Sequence, residues 1–229
     1  MTVRIHTPKP SKGMQMEGSV ARWYTRIRGS GSQADGWRQD AARFVEGLPR
    51  DAAVLEVAPG PGYLAIEMAR LGMSRVTGLD SSRTFVQIAG EQAERAGVRV
   101  AFRQGDAAAM PFDPDSFDLI VCQAAFKNFS RPVQALDEMH RVLRPGATAI
   151  IEDMSGDAAR GDIAHEVQGM ALGALNAATT RFTLRQLRRR AYSATQFGRL
   201  VAESAFGTAA ISAGGISLEV RLTKPSVGS

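Results

Sequence analysis

The chain has 229 residues, of which 44% are hydrophobic, 28 are basic and 23 are acidic. This size suits one sizeable core and is short for two, and no apolar run of 18 residues predicts a transmembrane helix. A net charge of +5 is too small to indicate nucleic-acid binding by itself. The polar, basic N-terminus lacks a signal core and Cys122 is the only cysteine, so we expect a cytoplasmic protein.

The chain begins with a predicted flexible arm and cap helix, together residues 1–32. Helical spacing over 17–27 brings Val20, Trp23, Tyr24 and Ile27 to one side, which predicts a core-facing stripe. A flexible Gly/Ser link over 29–32 then leads into a second helix at 34–48.

Strands and helices alternate over the remainder of the chain. Such alternation predicts a parallel sheet with helices on both faces. Strands are predicted at 54–57, 75–79, 98–102, 117–122, 147–151, 208–212 and 216–222, and helices at 63–71, 83–96, 132–143 and 195–206. The segment 158–192 is predicted to be helical.

A glycine-rich turn follows the first strand, in the sequence VLEVAPGPG over 54–62. Gly60 to Ala65 satisfy G-x-G-x-x-G/A, and Asp80 follows at about the expected distance of ~20 residues, so an NAD-type dehydrogenase is one interpretation. Glu56 argues against it, because a carboxylate repels a pyrophosphate. The same carboxylate suits S-adenosylmethionine, which carries a sulfonium and an ammonium but no phosphate.

These motifs resemble the class I S-adenosylmethionine-dependent methyltransferases, whose first motif is an acid followed by G-x-G-x-G. Here Glu56 is followed by Ala58, Gly60 and Gly62, so Ala58 replaces the usual first glycine. The succession GDA, MPF, SFDLIV, RVLRPGA and AIIED is similar to the ubiquinone and menaquinone biosynthesis group, and the resemblance covers 54–153.

The resemblance implies an α/β fold with a Rossmann-like, mostly parallel seven-stranded sheet, helices on both faces and an antiparallel last strand. The methyltransferase domain would span 33–229, with a helical lid at about 158–192. The function implied is direct methyl transfer from S-adenosylmethionine to a small molecule.

The resemblance also implies the cofactor contacts. Glu56 would face the methionine part, Asp80 the ribose hydroxyls, and Asp106 with the backbone of Ala107 the adenine edge. Other expected cofactor-binding residues are Tyr24 of the cap helix, Ala58, Gly60 and Gly62 of the turn, Ser81, and Gln123 after the fourth strand.

The acceptor side is less well defined by sequence. Asp153, at the end of the fifth strand, and His165, in the lid, are candidate general bases. Lys127, Asn128 and Tyr192 are candidate acceptor-binding residues. No Cys/His ligand spacing occurs, so we predict no metal site.

Five arginines lie between Arg181 and Arg190. A solvated helix face is the first interpretation, recognition of an acidic acceptor the second, and a nucleic-acid patch the third. A nucleic-acid methyltransferase or binding module is disfavoured because the Asn/Asp-Pro-Pro-Tyr/Phe signature is absent. The expected partner is therefore a small-molecule methyl acceptor, without nucleic acid or stable membrane insertion, and a homodimer is left open.

Overall fold

The structure is a computed structural model that describes residues 16–28, 31–170 and 173–226. Most of the predicted arm, His6 and residues 29–30 of the predicted link lie outside these ranges. The strands are β1 (Ala53–Val57), β2 (Arg75–Asp80), β3 (Ala101–Gln104), β4 (Phe117–Gln123), β5 (Leu143–Met154), β6 (Ala210–Gly214) and β7 (Ser217–Thr223). The helices are α1 (Gly18–Arg28), α2 (Gly31–Val45), α3 (Tyr63–Arg70), α4 (Arg83–Arg95), α5 (Pro132–Val142), α6 (Arg160–Gly169), α7 (Ala174–Arg188) and α8 (Ala194–Ala202), with a 3₁₀ turn at Phe126–Asn128.

The strands form one sheet in the order β3-β2-β1-β4-β5-β7-β6. Only β7 runs against its neighbours, pairing antiparallel with both β5 and β6. A two-residue turn joins β6 to β7, and its Gly215 has a φ of 55°, as such hairpin turns require. The strand order reverses between β1 and β4, and ligands of open α/β sheets bind beside this point. The predicted fold class is confirmed.

The alternation of side chains along the strands divides the core into two layers. On one face Val54 and Val121 pack with residues of α2 and α3, among them Phe44 and Leu64. On the other face Leu55, with its neighbours from β4 and β5, packs with α5 and α8. Every residue of β1 is buried, because β1 lies in the middle of the sheet with helices on both sides.

Several predicted boundaries were wrong. β3 occupies 101–104 instead of 98–102, because pairing with residues 77–80 of β2, and not the apolar pattern, decides where the ladder starts and ends. β5 begins at Leu143 instead of at the predicted residue 147, because a register shift between Phe117 and Leu119 accommodates the extra residues. α8 ends at Ala202, and β6 starts at Ala210.

The N-terminal helices also differ from the prediction. α2 begins at Gly31, within the predicted flexible link. Trp23 of α1 is 59% exposed, so the predicted apolar stripe does not face the core as a whole. Among the α1 side chains whose burial the structure describes, 18–26, the fully buried one is Ala21, because α1 lies at the edge of the domain and contacts mainly α4.

Candidate active site

The turn after β1 holds three residues with left-handed backbone conformations. Gly60 has a φ of 54°, and a Cβ added there would meet no atom within 4 Å. Gly62 has a φ of 83°, and a Cβ there would lie 2.8 Å from Ala89 and from the ring of Phe102. Gly60 is therefore required by the backbone alone and leaves open space beside it, whereas Gly62 also allows close packing of the turn against α4 and β3.

Ala58 has a φ of 58°, in the region that favours glycine. Its N–H continues the parallel ladder by donating to the carbonyl of Leu79 at 2.7 Å. Ala124, at the end of β4, has the same geometry, with a φ of 57° and an N–H bonded to the carbonyl of Glu152 at 2.7 Å. The two central strands, β1 and β4, are thus each followed by an alanine in a strained backbone conformation, and alanine in place of glycine at position 58 costs roughly 1–2 kcal/mol.

Glu56 is buried at the end of β1, with 4% of its surface exposed. One carboxylate oxygen accepts a hydrogen bond from the N–H of Ala65 at 2.9 Å, in the first turn of α3. Burial raises the pKa of Glu56 to about 8, against the lowering effect of that N–H, and the nearby charge of Asp80 raises it further. Within the described residues no lysine or arginine pairs with this carboxylate, so Glu56 is a buried acid that lacks a cation.

Asp80 is the last residue of β2 and is 6% exposed. Its two oxygens accept hydrogen bonds from the N–H groups of Gly60 and Ser82, each at 2.9 Å. Burial raises the pKa of Asp80, while these N–H groups oppose the shift and Glu17 adds to it. Ser81 is exposed beside it, and Ser82 caps α4 by accepting from the N–H of Phe85.

The N-terminal segment lies across the start of α4. Ser82 Oγ donates to the carbonyl of Met16 at 2.8 Å, and the Glu17 carboxylate accepts from the N–H groups of Arg83 and Thr84. These bonds satisfy N–H groups that the first turn of a helix leaves unpaired. Sequence reasoning missed Glu17 because it caps a helix 66 residues further along the chain, and no local motif indicates such a pairing.

Tyr24 packs its ring edge-to-face on Phe85 at 5.9 Å, so α1 holds it against α4, near the end of β2. Tyr63, the first residue of α3, ties the same helix down by donating from its hydroxyl to the carbonyl of Thr25 at 3.0 Å. Helix α1, the predicted cap helix, therefore lies beside the turn that follows β1 and beside Asp80.

Asp106 lies two residues beyond the end of β3. Its carboxylate accepts from the N–H of Ala108 at 2.8 Å and from Arg131 at 2.6 Å. Partial burial is the largest single influence and raises the pKa of Asp106. The hydrogen bonds from Ala108 and Arg131, with the charge of Arg131, together outweigh it, so the pKa of Asp106 is lowered. Ala107 packs partly buried against the core. The ion pair with Arg131, the residue before α5, was not predicted.

Gln123 ends β4 between two acids. Its side-chain nitrogen donates to Asp40 of α2 at 2.8 Å and to Glu152 of β5 at 2.9 Å, and its oxygen is buried without a hydrogen bond. Arg43 of α2 connects the same acids and Glu219 of β7 at 2.8–3.3 Å. These polar residues form a network on the Glu56 side of the sheet, and the sequence signalled only Gln123.

Asp153 and Lys127 form a buried ion pair on the opposite side of the sheet. The Lys127 ammonium donates to Asp153 and to the carbonyl of Ala124, both at 2.6 Å. The Asp153 carboxylate also accepts from the N–H groups of Lys127 and Met154, at 2.9 and 2.7 Å. Both side chains are less than 8% exposed. Asp153, the candidate base, and Lys127, a candidate acceptor-binding residue, therefore neutralise each other's charge and are hydrogen-bonded to each other.

The remaining acceptor-side candidates divide into one packed residue and two exposed ones. Tyr192 lies in an aromatic cluster with Phe126 and Phe197, at centroid distances of 6.1 and 5.9 Å. Burial, followed by the Asp153 charge, raises its pKa. Asn128 and His165 are both exposed, and His165 lies on α6 away from the buried Ile163 and Val167. The structure thus brings together Lys127, Asp153 and Tyr192 but leaves His165 apart.

Within the three described ranges, no cluster of His, Cys, Asp or Glu has the arrangement needed to hold a metal ion. No helix within these same ranges is both long enough and apolar enough to cross a membrane.

The strand order, the single antiparallel strand and the acids that end β1 and β2 define the class I S-adenosylmethionine-dependent methyltransferase fold. Residues 55–151 match the family model described as "Methyltransferase domain". Residues 55–151 therefore form a methyltransferase domain, and the resemblance noted in the sequence is confirmed over this range. The cofactor that the family and fold imply is S-adenosylmethionine.

Relatives and solved structures agree with this assignment. A demethylmenaquinone methyltransferase of Porphyromonas gingivalis is 36% identical over 155 residues, 65% of this chain and 62% of that protein. A 2-phytyl-1,4-naphtoquinone methyltransferase of Thermosynechococcus vestitus is 37% identical over 121 residues, 52% of this chain and 53% of that one. The chain thus spans about half to three fifths of these relatives. The crystal structure of a SAM-dependent methyltransferase from Aquifex aeolicus has a TM-score of 0.65 at 17% identity, covering 88% of this chain and 97% of that one, and it bears on the fold alone.

Proposed function

We propose that the protein transfers a methyl group from S-adenosylmethionine to a small, quinol-type acceptor. The observation that carries the proposal is Glu56, a buried carboxylate without a cation at the strand end where the sheet order reverses. A cationic ligand stabilises the ionised form of such an acid, whereas a pyrophosphate destabilises it. The arrangement therefore favours S-adenosylmethionine over a dinucleotide.

The described residues fit this cofactor. Glu56 would hold the ammonium of its methionine part, and Gly60 leaves space for close approach of the ligand to the backbone. Each oxygen of Asp80 accepts one backbone N–H and has a second lone pair for a ribose hydroxyl. Asp106 and Ala107 would border the adenine. When bound, the cofactor supplies an electrophilic methyl group on a sulfonium.

The work left to the protein is orientation of the acceptor and exclusion of water. Tyr24 with α1 on one side, and α6 with α7 on the other, are proposed to close over the ligands. A cytoplasmic location accords with this small-molecule chemistry. The cytoplasmic location and the absence of a nucleic-acid partner both stay predictions. Pairing of two copies stays open.

Two roles for Asp153 follow from its position. As a general base it would take a proton from the acceptor. Its ion pair and its two backbone N–H donors instead support a positioning role, in which Asp153 and Lys127 hold the strained turn at Ala124 beside the proposed site. His165 as a base requires movement of α6, because its side chain is exposed.

A quinol-type acceptor is proposed because the names of the relatives refer to menaquinone precursors and a naphthoquinone. Tyr192 packs on the buried rings of Phe126 and Phe197 near Asp153, and its own half-buried ring is the part of this cluster that an acceptor ring would contact. A reduced ring is the chemically competent form, because attack on the methyl carbon needs an electron-rich nucleophile.

Calorimetry tests the cofactor. We expect binding of S-adenosylmethionine and of its demethylated product, and negligible binding of NAD. Asp80→Ala should weaken binding by about 1–3 kcal/mol, the cost of losing hydrogen bonds to a charged acceptor. The matched control is Asp51→Ala, because Asp51 is an exposed acid outside the site. Tight NAD binding, or equal effects of the two variants, would reject the proposal.

The acceptor is tested with methyl-labelled cofactor and a naphthoquinone supplied in its oxidised or reduced form. We expect label in the organic phase only with the reduced compound. If a protein that binds the cofactor transferred label to neither form, the quinol would be rejected as the acceptor. The proposal that the protein transfers methyl groups would not be rejected by that result.

A further inference from the structure

Helix α7 and the residues that flank it carry positive charges with no acidic residue among them to neutralise them. Between residues 173 and 193 the chain has five arginines and neither aspartate nor glutamate. Phe182, in the middle of the helix, is 63% exposed, which is unusual for an aromatic side chain. An aromatic residue thus does accompany these arginines, a feature that the ranking from sequence did not weigh.

The helical period separates an inner from an outer face. Leu184, Leu187 and Arg188 are half-buried, and Arg188 Nε donates to the carbonyl of Gly156 at 3.2 Å. On the opposite side Phe182 is exposed, with Arg189 and Arg185 beside it at spacings of seven and three residues, and the exposed Arg181 extends this surface toward Arg188. We call these four residues the Arg–Phe face.

The cations of the Arg–Phe face are not engaged by acids. Among the described residues Arg181 and Arg185 form no ion pair, and Arg189 contacts only the side-chain oxygen of Gln186 at 3.4 Å. By contrast, Arg43, Arg131, Arg141 and Arg144 all pair with carboxylates. Three guanidinium groups on the same exposed side of the helix as a phenyl ring therefore present an unpartnered cationic and apolar surface.

We propose that the Arg–Phe face binds the surface of an anionic lipid bilayer. Arginines contact lipid phosphates bidentately, while an aromatic side chain between them enters the boundary between headgroups and acyl chains. A single aromatic residue on a convex helix suits a flat surface better than a nucleic-acid strand, which is bound by grooves with several stacking rings. This binding follows from α7 itself and does not require the proposed reaction.

Flotation with lipid vesicles tests the inference on the full chain. We expect binding to vesicles of phosphatidylcholine with about one third phosphatidylglycerol, weakening as salt is raised, and none to pure phosphatidylcholine. Replacing Arg181, Arg185 and Arg189 with glutamine should weaken binding about a hundred-fold, at about 1 kcal/mol for each arginine near the surface. Phe182→Ala should weaken it several-fold at unchanged net charge.

The control variant removes the same charge elsewhere. Arg75, Arg99 and Arg103 are exposed on the opposite, β2–β3 edge of the sheet, and their replacement with glutamine should leave vesicle binding within two-fold of the wild type. Circular dichroism and calorimetry with S-adenosylmethionine check that every variant is folded. Equal loss in the two triple variants, absence of wild-type binding, or displacement of the vesicles by single-stranded RNA would overturn the inference.

Discussion

The Lys127–Asp153 pair should dominate the stability of the site, because both charges are almost completely buried. The ammonium has two acceptors and the carboxylate has three donors, all within 2.9 Å. Lys127→Met leaves a buried carboxylate with two N–H donors, and Asp153→Asn leaves a buried ammonium with a carbonyl and an amide oxygen. Each variant thus keeps one charge in a nonpolar surrounding.

Removing one member of a buried pair costs about 3–5 kcal/mol, a large part of the roughly 5–15 kcal/mol that stabilises a domain. The double variant contains no buried charge, so it should be less destabilised than the sum of the single variants by about 2–3 kcal/mol. The control is the exposed Glu91–Arg95 pair on α4, bonded at 3.1 Å but 46% and 73% exposed, for which the coupling should stay below about 0.5 kcal/mol.

Urea unfolding of the four proteins in each cycle measures these energies, and methyl transfer by the folded fraction measures activity. A positioning role predicts that Lys127→Met and Asp153→Asn lose stability and activity together. If Asp153→Asn lost activity at wild-type stability, Asp153 would be the general base and the reasoning from its buried ion pair would be refuted.

Three further predictions concern the end of β1. Because burial raises the pKa of Glu56 from 4.5 to about 8, folding takes up a proton, so stability should fall as pH rises through that interval. Glu56→Gln should remove a slope of about 1.4 kcal/mol per pH unit in urea unfolding, and parallel curves would contradict this. Ala58→Gly should raise the free energy of unfolding by about 0.5–1 kcal/mol, because relief of the left-handed strain exceeds the added freedom of the unfolded chain; a loss of stability would contradict it. Gly62→Ala should lower the free energy of unfolding by about 1–3 kcal/mol, and with it the melting temperature, since the added Cβ would overlap Ala89 and Phe102. An unchanged melting temperature would contradict this and show that the turn can relax.

The sequence alone was sufficient for the elements whose signals are local. An apolar run, an acid and two nearby glycines predicted β1, its turn and Glu56, because buried strands and left-handed turns each require particular residue types. The same reasoning located Asp80 at the end of β2. The parallel sheet followed from the alternation of strands and helices, which leaves few topologies open.

Only the tertiary structure decided how the site residues are paired. Lys127 and Asp153 are 26 residues apart, Asp106 and Arg131 are 25, and Asp40 and Gln123 are 83. Each side chain has a local pattern that allows several roles, and its burial and partner depend on which strands become neighbours. The backbone strain at Ala58 and the exposure of Phe182 were hidden for the same reason, because conformation and solvent access are properties of the packed chain and not of the residue type.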